Sequence, residues 1–227
     1  MFRFALLTTA LTLAAAAHAA DAAHPTVIEL YQSQGCSSCP PAIKNLNALA
    51  DRPDVLALTF AVTYWDNGAW TDSFASPAQT DRQWAYARGF RHDQVWTPQV
   101  IVDGRGDVVG AQPGQIEGLV AHTPAPGGPG LTLTNNSVVI AGGTALPGGA
   151  DVWLVRYDPR TIDVAVRGSE NSGRTIAHRN VVKQLVRAGH WTGAAATISL
   201  PAGAPGLSTA VLVQSLGGPI LAAVRGG

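Results

Sequence analysis

Apolar residues recur along this chain in two rhythms, and the rhythm changes about halfway. Val27-Ile28-Glu29-Leu30-Tyr31 is rich in β-branched and aromatic residues and predicts a strand. From Pro41 onward Ala42, Ile43, Leu46 and Leu49 fall at helical spacing, which predicts a helix reaching about Ala50. Asp51-Arg52-Pro53-Asp54 reads as a turn, and Val55 to Thr63 as a strand apolar on both faces, the pattern of a buried sheet position. A helix is expected over Gln79–Arg88 and a strand over Gln99–Val102. Asp107–Gly110 is its hairpin partner, and Gln112–His122 a short helix. The predicted order is strand, helix, strand, helix, strand, strand, helix.

Thr123-Pro124-Ala125-Pro126-Gly127-Gly128-Pro129-Gly130 has the composition of a linker. Beyond it come short apolar or alternating runs between Gly/Pro turns: 131–140, 151–157, 162–166, 196–200, 207–213 and 220–224. Val181–Ala188 fits either period and is read as a strand. The pattern predicts an α/β domain over 24–122, a linker over 123–130, and a smaller, mostly antiparallel, sandwich-like β domain over 131–227.

Composition narrows the function classes. Of 227 residues only 13% are charged, the formal net charge is zero, and Gly (25) and Pro (15) are plentiful. No basic run is present, so nucleic acid is not an expected partner. At the N-terminus, Arg3 precedes an apolar run from Phe4 to Ala17. Ala17-His18-Ala19 then places small residues where a signal peptidase cuts, after Ala19 or Ala20. The run is shorter than the roughly 20 residues a membrane span needs, and Asp21, His24 and Pro25 follow at once. The expectation is a signal peptide over 1–20, and a periplasmic or secreted protein with no stable membrane anchor after cleavage.

Export changes how the two cysteines are read. Secreted proteins use disulfides as staples, but Cys36 and Cys39 are three positions apart. A loop that small removes little entropy from the unfolded chain. Cys36-Ser37-Ser38-Cys39 lies between a predicted strand and a predicted helix, where helix dipoles favour a thiolate. Cys36 is then the exposed nucleophile and Cys39 the buried thiol that resolves a mixed disulfide. Pro40 and Pro41 suit a helix's first turn, and they also remove two N–H donors. Three other readings stay open: a structural disulfide, a two-thiolate metal site and a cysteine hydrolase. Structural zinc needs four ligands, and His24, His92, His122, His178 and His190 show no ligand spacing.

With this dithiol between strand and helix, and Thr97-Pro98 leading into the strand Gln99–Val102, the first domain resembles the thioredoxin superfamily. The resemblance implies a thioredoxin-like fold with a cis-proline at Pro98 packed against the dithiol and Thr97 facing the sulfurs. A closer likeness is carried by the run from Glu29 to Pro41, with Tyr64-Trp65-Asp66, Gly68-Ala69-Trp70, Arg82-Gln83 with Tyr86, Glu170-Asn171-Ser172-Gly173-Arg174 and His178-Arg179-Asn180. These are similar to the motifs of a secreted bacterial family catalogued as domain of unknown function 1223, which implies no established activity. Glu29 is a candidate proton relay, although its register is one residue off that of the buried acid of thioredoxins. Trp65, Trp70 and Trp84 are candidates for a substrate groove with Asp66 and Asp72 at its rim, against the alternative of plain core aromatics. Arg174, His178 and Arg179 are candidates to approach the dithiol from the second domain.

The residues therefore read as an exported thiol–disulfide oxidoreductase with no cofactor, acting on a thiol- or disulfide-containing protein or small molecule. The alternative is a binding protein of the same fold whose dithiol holds copper, zinc or a static disulfide.

Overall fold

A computed structural model describes residues 20–144 and 146–226. The expected signal segment lies outside the described residues except for Ala20. The first part of the chain forms β1 (Thr26–Gln32), α1 (Cys39–Asn47), β2 (Val55–Ala61), a 3-10 turn at Thr63–Trp65, and α2 (Pro77–Phe90). β3 (Gln99–Val102), β4 (Gly106–Val108) and α3 (Gln115–His122) follow. The second part contributes β5 (Leu131–Leu133), β6 (Ser137–Ile140), β7 (Ala150–Asp158), β8 (Ile162–Ala165) and β9 (Thr175–His178). It ends with β10 (Val181–Trp191), β11 (Ala196–Ser199), β12 (Ser208–Gln214) and β13 (Ile220–Arg225).

The protein is a mixed α/β structure in which one large sheet passes through both parts. Its order is β13-β12-β7-β10-β2-β1-β3-β4, beside a three-stranded sheet β11-β6-β5 and the hairpin β8-β9. β1 and β2 run parallel from Thr26↔Val55 to Gln32↔Ala61, and β3 pairs antiparallel with β1. Every residue of β2 is buried. Such a strand cannot stand at an open edge, where its backbone groups and apolar side chains would meet water. The start of β10 covers that edge through a parallel pairing of Val181 with Thr59. Four of the strands expected in a separate antiparallel domain therefore extend the first sheet instead. The small sheet packs over β7 and β12, enclosing Val138, Ile140, Val152, Leu154, Trp191 and Val211.

Two further differences from the sequence pattern have local causes. β10 bulges between Val182 and Gln184 and again between Arg187 and Gly189. Each bulge breaks the alternation of side chains, which is why the run fits no single period. β9 leaves little pattern in the sequence because it is four residues long, with Ile176 and His178 as its buried positions.

The two faces of β1 serve different cores. Ile28 and Leu30 pack with Cys36, Cys39, Ile43 and Leu46, whereas Val27 and Tyr31 pack with Phe60 and Tyr86. Glu29 shares the parity of Val27 and Tyr31, so it enters the core away from the dithiol. It is fully buried there and is held by Arg82 Nε and Nη2 at 2.9 and 2.7 Å. The hydroxyls of Tyr31 and Tyr86 donate to the same carboxylate at 2.7 and 2.8 Å. The sequence-based candidacy of Glu29 as a proton relay is thus corrected: a one-residue register difference places it across the sheet.

Removing one partner of a buried ion pair leaves the other charge without compensation. Glu29→Leu is expected to cost about 3–5 kcal/mol of stability, read as a lowered urea midpoint of unfolding.

Candidate functional site

The dithiol is built by a local conflict at the start of α1. Ser38 is the N-cap residue, a position where a serine hydroxyl ordinarily accepts from the N–H of the second or third helical residue. Those residues are Pro40 and Pro41, which have no N–H. Ser38 accordingly makes no capping bond, and its Oγ lies 3.2 Å from Cys36 Sγ and 3.5 Å from the Thr97 carbonyl oxygen. The two prolines thus release a hydroxyl to the sulfur. Cys39 N–H donates to the Cys36 carbonyl at 3.2 Å, closing the turn that brings the sulfurs together.

Both cysteines are free thiols, and Cys39 Sγ donates to Cys36 Sγ at 2.6 Å. Their environments drive them apart. The Cys39 thiol, helped by Ser38 and Thr97 and opposed by burial, pulls Cys36 down to about 6. Burial, together with the bond it donates to Cys36, pushes Cys39 far above the usual thiol range. One sulfur is set to be a thiolate and its neighbour to keep a proton.

The surroundings come from three other segments. The Thr97–Pro98 peptide is cis, and the Thr97 carbonyl accepts from Cys36 Sγ at 3.8 Å. Trp65 Nε1 donates to Thr97 Oγ1 at 2.7 Å, so the indole fixes the hydroxyl beside the sulfurs. Behind the dithiol, Asp72 is buried and accepts from the N–H groups of Gln34 (2.7 Å) and Phe74 (2.9 Å). Burial raises its carboxyl above the ordinary range. From the far part of the chain, the connection between β8 and β9 crosses the loop. Asn171 Nδ2 donates to the Gln34 and Cys36 carbonyls at 2.9 and 2.7 Å, and Ser169 Oγ donates to the Gly35 carbonyl at 3.1 Å. Ser37 N–H and Oγ–H both donate to Glu170 Oε2, at 3.0 and 2.6 Å.

Cys36, Cys39, Thr97, Pro98 and Trp65 are therefore gathered at one place, with Trp70 packed against the same apolar cluster. Other expectations are corrected. Cys36 is not exposed; like Cys39 it has 0% accessible surface. Asp72 is not a rim residue but a buried acceptor under the dithiol loop. Trp84 sits part-exposed on α2 and is not among the described residues packed against the apolar cluster of the dithiol. Arg179 pairs with Asp51 at 2.6 Å, and His178 is buried edge-on to Phe74, its proton affinity lowered to about 4 by burial. Arg174 Nη1 donates to Asn171 Oδ1 at 3.1 Å, which links it to the dithiol loop at one remove, through Asn171. Ser38, Ser169, Glu170 and Asn171 drew no role from sequence. For Ser38 the signal was a serine cap followed by two prolines; Glu170 and Asn171 stood in a family-like motif, but more than 130 positions from the dithiol nothing tied that motif or Ser169 to it.

Among the described residues no group of three or more His, Cys, Asp or Glu side chains is placed to hold a metal ion. A cavity of about 610 Å³ lies on the opposite face of the sheet, between α2 and the strands β7 and β10, lined by Tyr86, Trp153 and Leu216 among others. None of its lining residues belongs to the dithiol site.

Fold and site together define a mixed α/β protein carrying a buried dithiol at a helix start, covered by a loop from its C-terminal part. The chain belongs to the family described as protein of unknown function DUF1223, whose model matches residues 27–214. Protein AGR_C_4864 from Agrobacterium tumefaciens is similar to it in structure, with 30% sequence identity and a TM-score of 0.72, over 88% of this chain and 92% of that one. HBP35 of Porphyromonas gingivalis shares the fold at 12% identity and a TM-score of 0.56, over 89% of this chain and 74% of that one. No curated protein matches the chain.

Titrating the thiolate absorbance of the reduced protein is expected to give a midpoint near 6. Cys39→Ala removes the leading donor and should move it up by about one to two pH units, with a smaller rise for Ser38→Ala. The sign for stability follows from the depressed thiol. Relative to Cys36→Ser, the reduced protein should gain stability as pH rises from about 6 towards the ordinary thiol value of 9.0, and lose that gain as pH falls through 6.

Proposed function

We propose that this protein is an exported thiol–disulfide oxidoreductase whose N-terminal part is thioredoxin-like. The observation that carries the reading is the pairing of two thiols in contact at the start of α1, one favoured as thiolate and the other kept protonated by burial. That asymmetry is what exchange requires. The Cys36 thiolate attacks one sulfur of a substrate disulfide, forming a mixed disulfide and expelling the other sulfur as a thiolate. Cys39 then gives up its proton to a departing thiolate and attacks Cys36 Sγ. The second substrate sulfur leaves, and a Cys36–Cys39 disulfide remains. Two electrons pass from the dithiol to the substrate, and the same steps run backwards when the protein starts oxidised.

The cis Thr97–Pro98 peptide beside the sulfurs supports the thioredoxin-like assignment, since its carbonyl faces the attacking atom. Trp65 and Trp70 supply the apolar wall against which a cysteine-bearing substrate, protein or small molecule, would lie. Export rests on the N-terminal pattern of Arg3, the apolar run and Ala17-His18-Ala19.

Reduced protein should exchange with a model disulfide, and Cys36→Ser should abolish the reaction while Cys39→Ser traps the mixed disulfide. Retained exchange in Cys36→Ser ends this reading. Equilibration in glutathione buffers gives the second check. A potential of about −120 to −270 mV fits an exchange-active pair, whereas one below about −300 mV means a static disulfide.

A further inference from the structure

An exchange reaction must begin at Cys36, yet Cys36 has no accessible surface. The segment lying on its loop is the short strap 168–171, which arrives between β8 and β9 from 133 positions away. The strap is seated from both sides at close quarters. A Cβ on Gly35 would come within 2.9 Å of Ser169 Oγ, and one on Gly168 would collide with the Ala69 carbonyl oxygen. Ser169 itself has φ of +60°, a left-handed conformation that a serine holds only where its surroundings impose it.

The bonds that hold the strap are unequal in kind. Asn171 is fully buried, and its amide joins the Gln34 and Cys36 carbonyls, so it is part of the core. Glu170 is exposed to water and reaches the dithiol loop only through Ser37, which is exposed too. Its carboxylate takes both the N–H and the O–H of the residue next to Cys36. Bonds accessible to water open far more readily than buried ones. The Glu170–Ser37 contact is thus the place where the cover can come undone without disturbing the core.

We infer that Glu170 is a positioning residue that latches the 168–171 strap over the dithiol, so that substrate reaches Cys36 only when the Glu170–Ser37 contact is released. The inference rests on the reading of Cys36 as the attacking thiol. Opening also frees the Ser37 N–H, just ahead of the N-cap Ser38, for use by an incoming chain. The latch is a carboxylate, so a substrate must compete with it for the same two donors. Resting protein is thereby kept from unspecific thiol chemistry.

The test is the rate at which iodoacetamide alkylates Cys36 in the reduced full-length mature protein, measured above the Cys36 midpoint and mapped by mass spectrometry. Wild type should react well below the rate of the same chain unfolded in urea. Glu170→Ala should raise the native rate about tenfold, the loss of a charge-assisted contact at a solvent-exposed site. Glu170→Gln, which keeps an acceptor oxygen, and Ser37→Ala, which keeps the N–H donor, should fall between the two. Loss of a latch raises the rate at every pH and leaves the midpoint in place. Hydrogen exchange should quicken at Ser37 and across 168–172 and stay unchanged in β1 and β2. The inference is overturned if Glu170→Ala reacts at the wild-type rate, if wild type already reacts as fast as the unfolded chain, or if exchange quickens throughout the core. Alkylation that follows the latch, in a protein that exchanges with no disulfide, would uphold the latch and remove the oxidoreductase reading instead.

Discussion

The site depends on a seam three residues long between β2 and the corner that opens β10. Val181 pairs with Thr59, Thr59 N–H donates to the Asn180 carbonyl at 3.0 Å, and Thr59 Oγ1 donates to the Arg179 carbonyl at 2.8 Å. Asn180 Nδ2 returns a bond to the Ala57 carbonyl at 2.8 Å. Asn180 sits at φ of +50°, a turn conformation that asparagine tolerates better than most residues. This corner follows directly on β9, and β9 follows on the strap. Fixing the corner against β2 therefore fixes where residues 168–171 fall. Because β1 lies on the other side of β2 and ends in the dithiol loop, a seam in the sheet becomes a cover on the chemistry.

Against that long-range constraint stands a very local one. In most helices a serine N-cap spends its hydroxyl on the helix. Here two consecutive prolines deny it any partner there, and the hydroxyl turns to Cys36. The prolines also rigidify the first turn at the φ a helix needs, so the donors that remain near the sulfurs are few and fixed. The electrostatics at Cys36 come mainly from single side chains: the Cys39 thiol, then Ser38 and Thr97, against the cost of burial.

How much of this was legible in the sequence follows from distance along the chain. α1, β1, β2 and β3 could be read because their apolar periods are intact and their turns carry Gly, Pro or Asp. The dithiol's position at a strand–helix junction was legible for the same reason, as was the placing of Thr97 and Pro98 before β3. What could not be read depends on contacts between segments. The bonds that Ser169, Glu170 and Asn171 make to the dithiol loop come from more than 130 positions away, and nothing in the sequence around Cys36 announces them. Asp72 looks like a surface acid until Gln34 and Phe74 are brought to it. Glu29 failed for a different reason: its face of β1 was decidable only by counting register, and its partner Arg82 lies 53 positions away. The open linker composition of 123–130 suggested a separate second domain, but composition cannot reveal that a fully buried β2 still needs a neighbour.

The division of labour between the faces of β1 bears on how the site tolerates change. On one face, Glu29, Arg82, Tyr31 and Tyr86 form a buried polar network in which each hydrogen bond supports the next. That network anchors α2 to β1. On the other face, Cys36 and Cys39 are packed with Ile28, Leu30 and Ile43. A rigid strand thus separates a stabilising network from a reactive one, and the loop following it can move without loosening the ion pair. An opening confined to the strap costs contacts on the dithiol side, among them the exposed Glu170–Ser37 bonds. The buried network on one face of β1 and the partly exposed contacts of the strap on the other therefore differ in what an opening would cost.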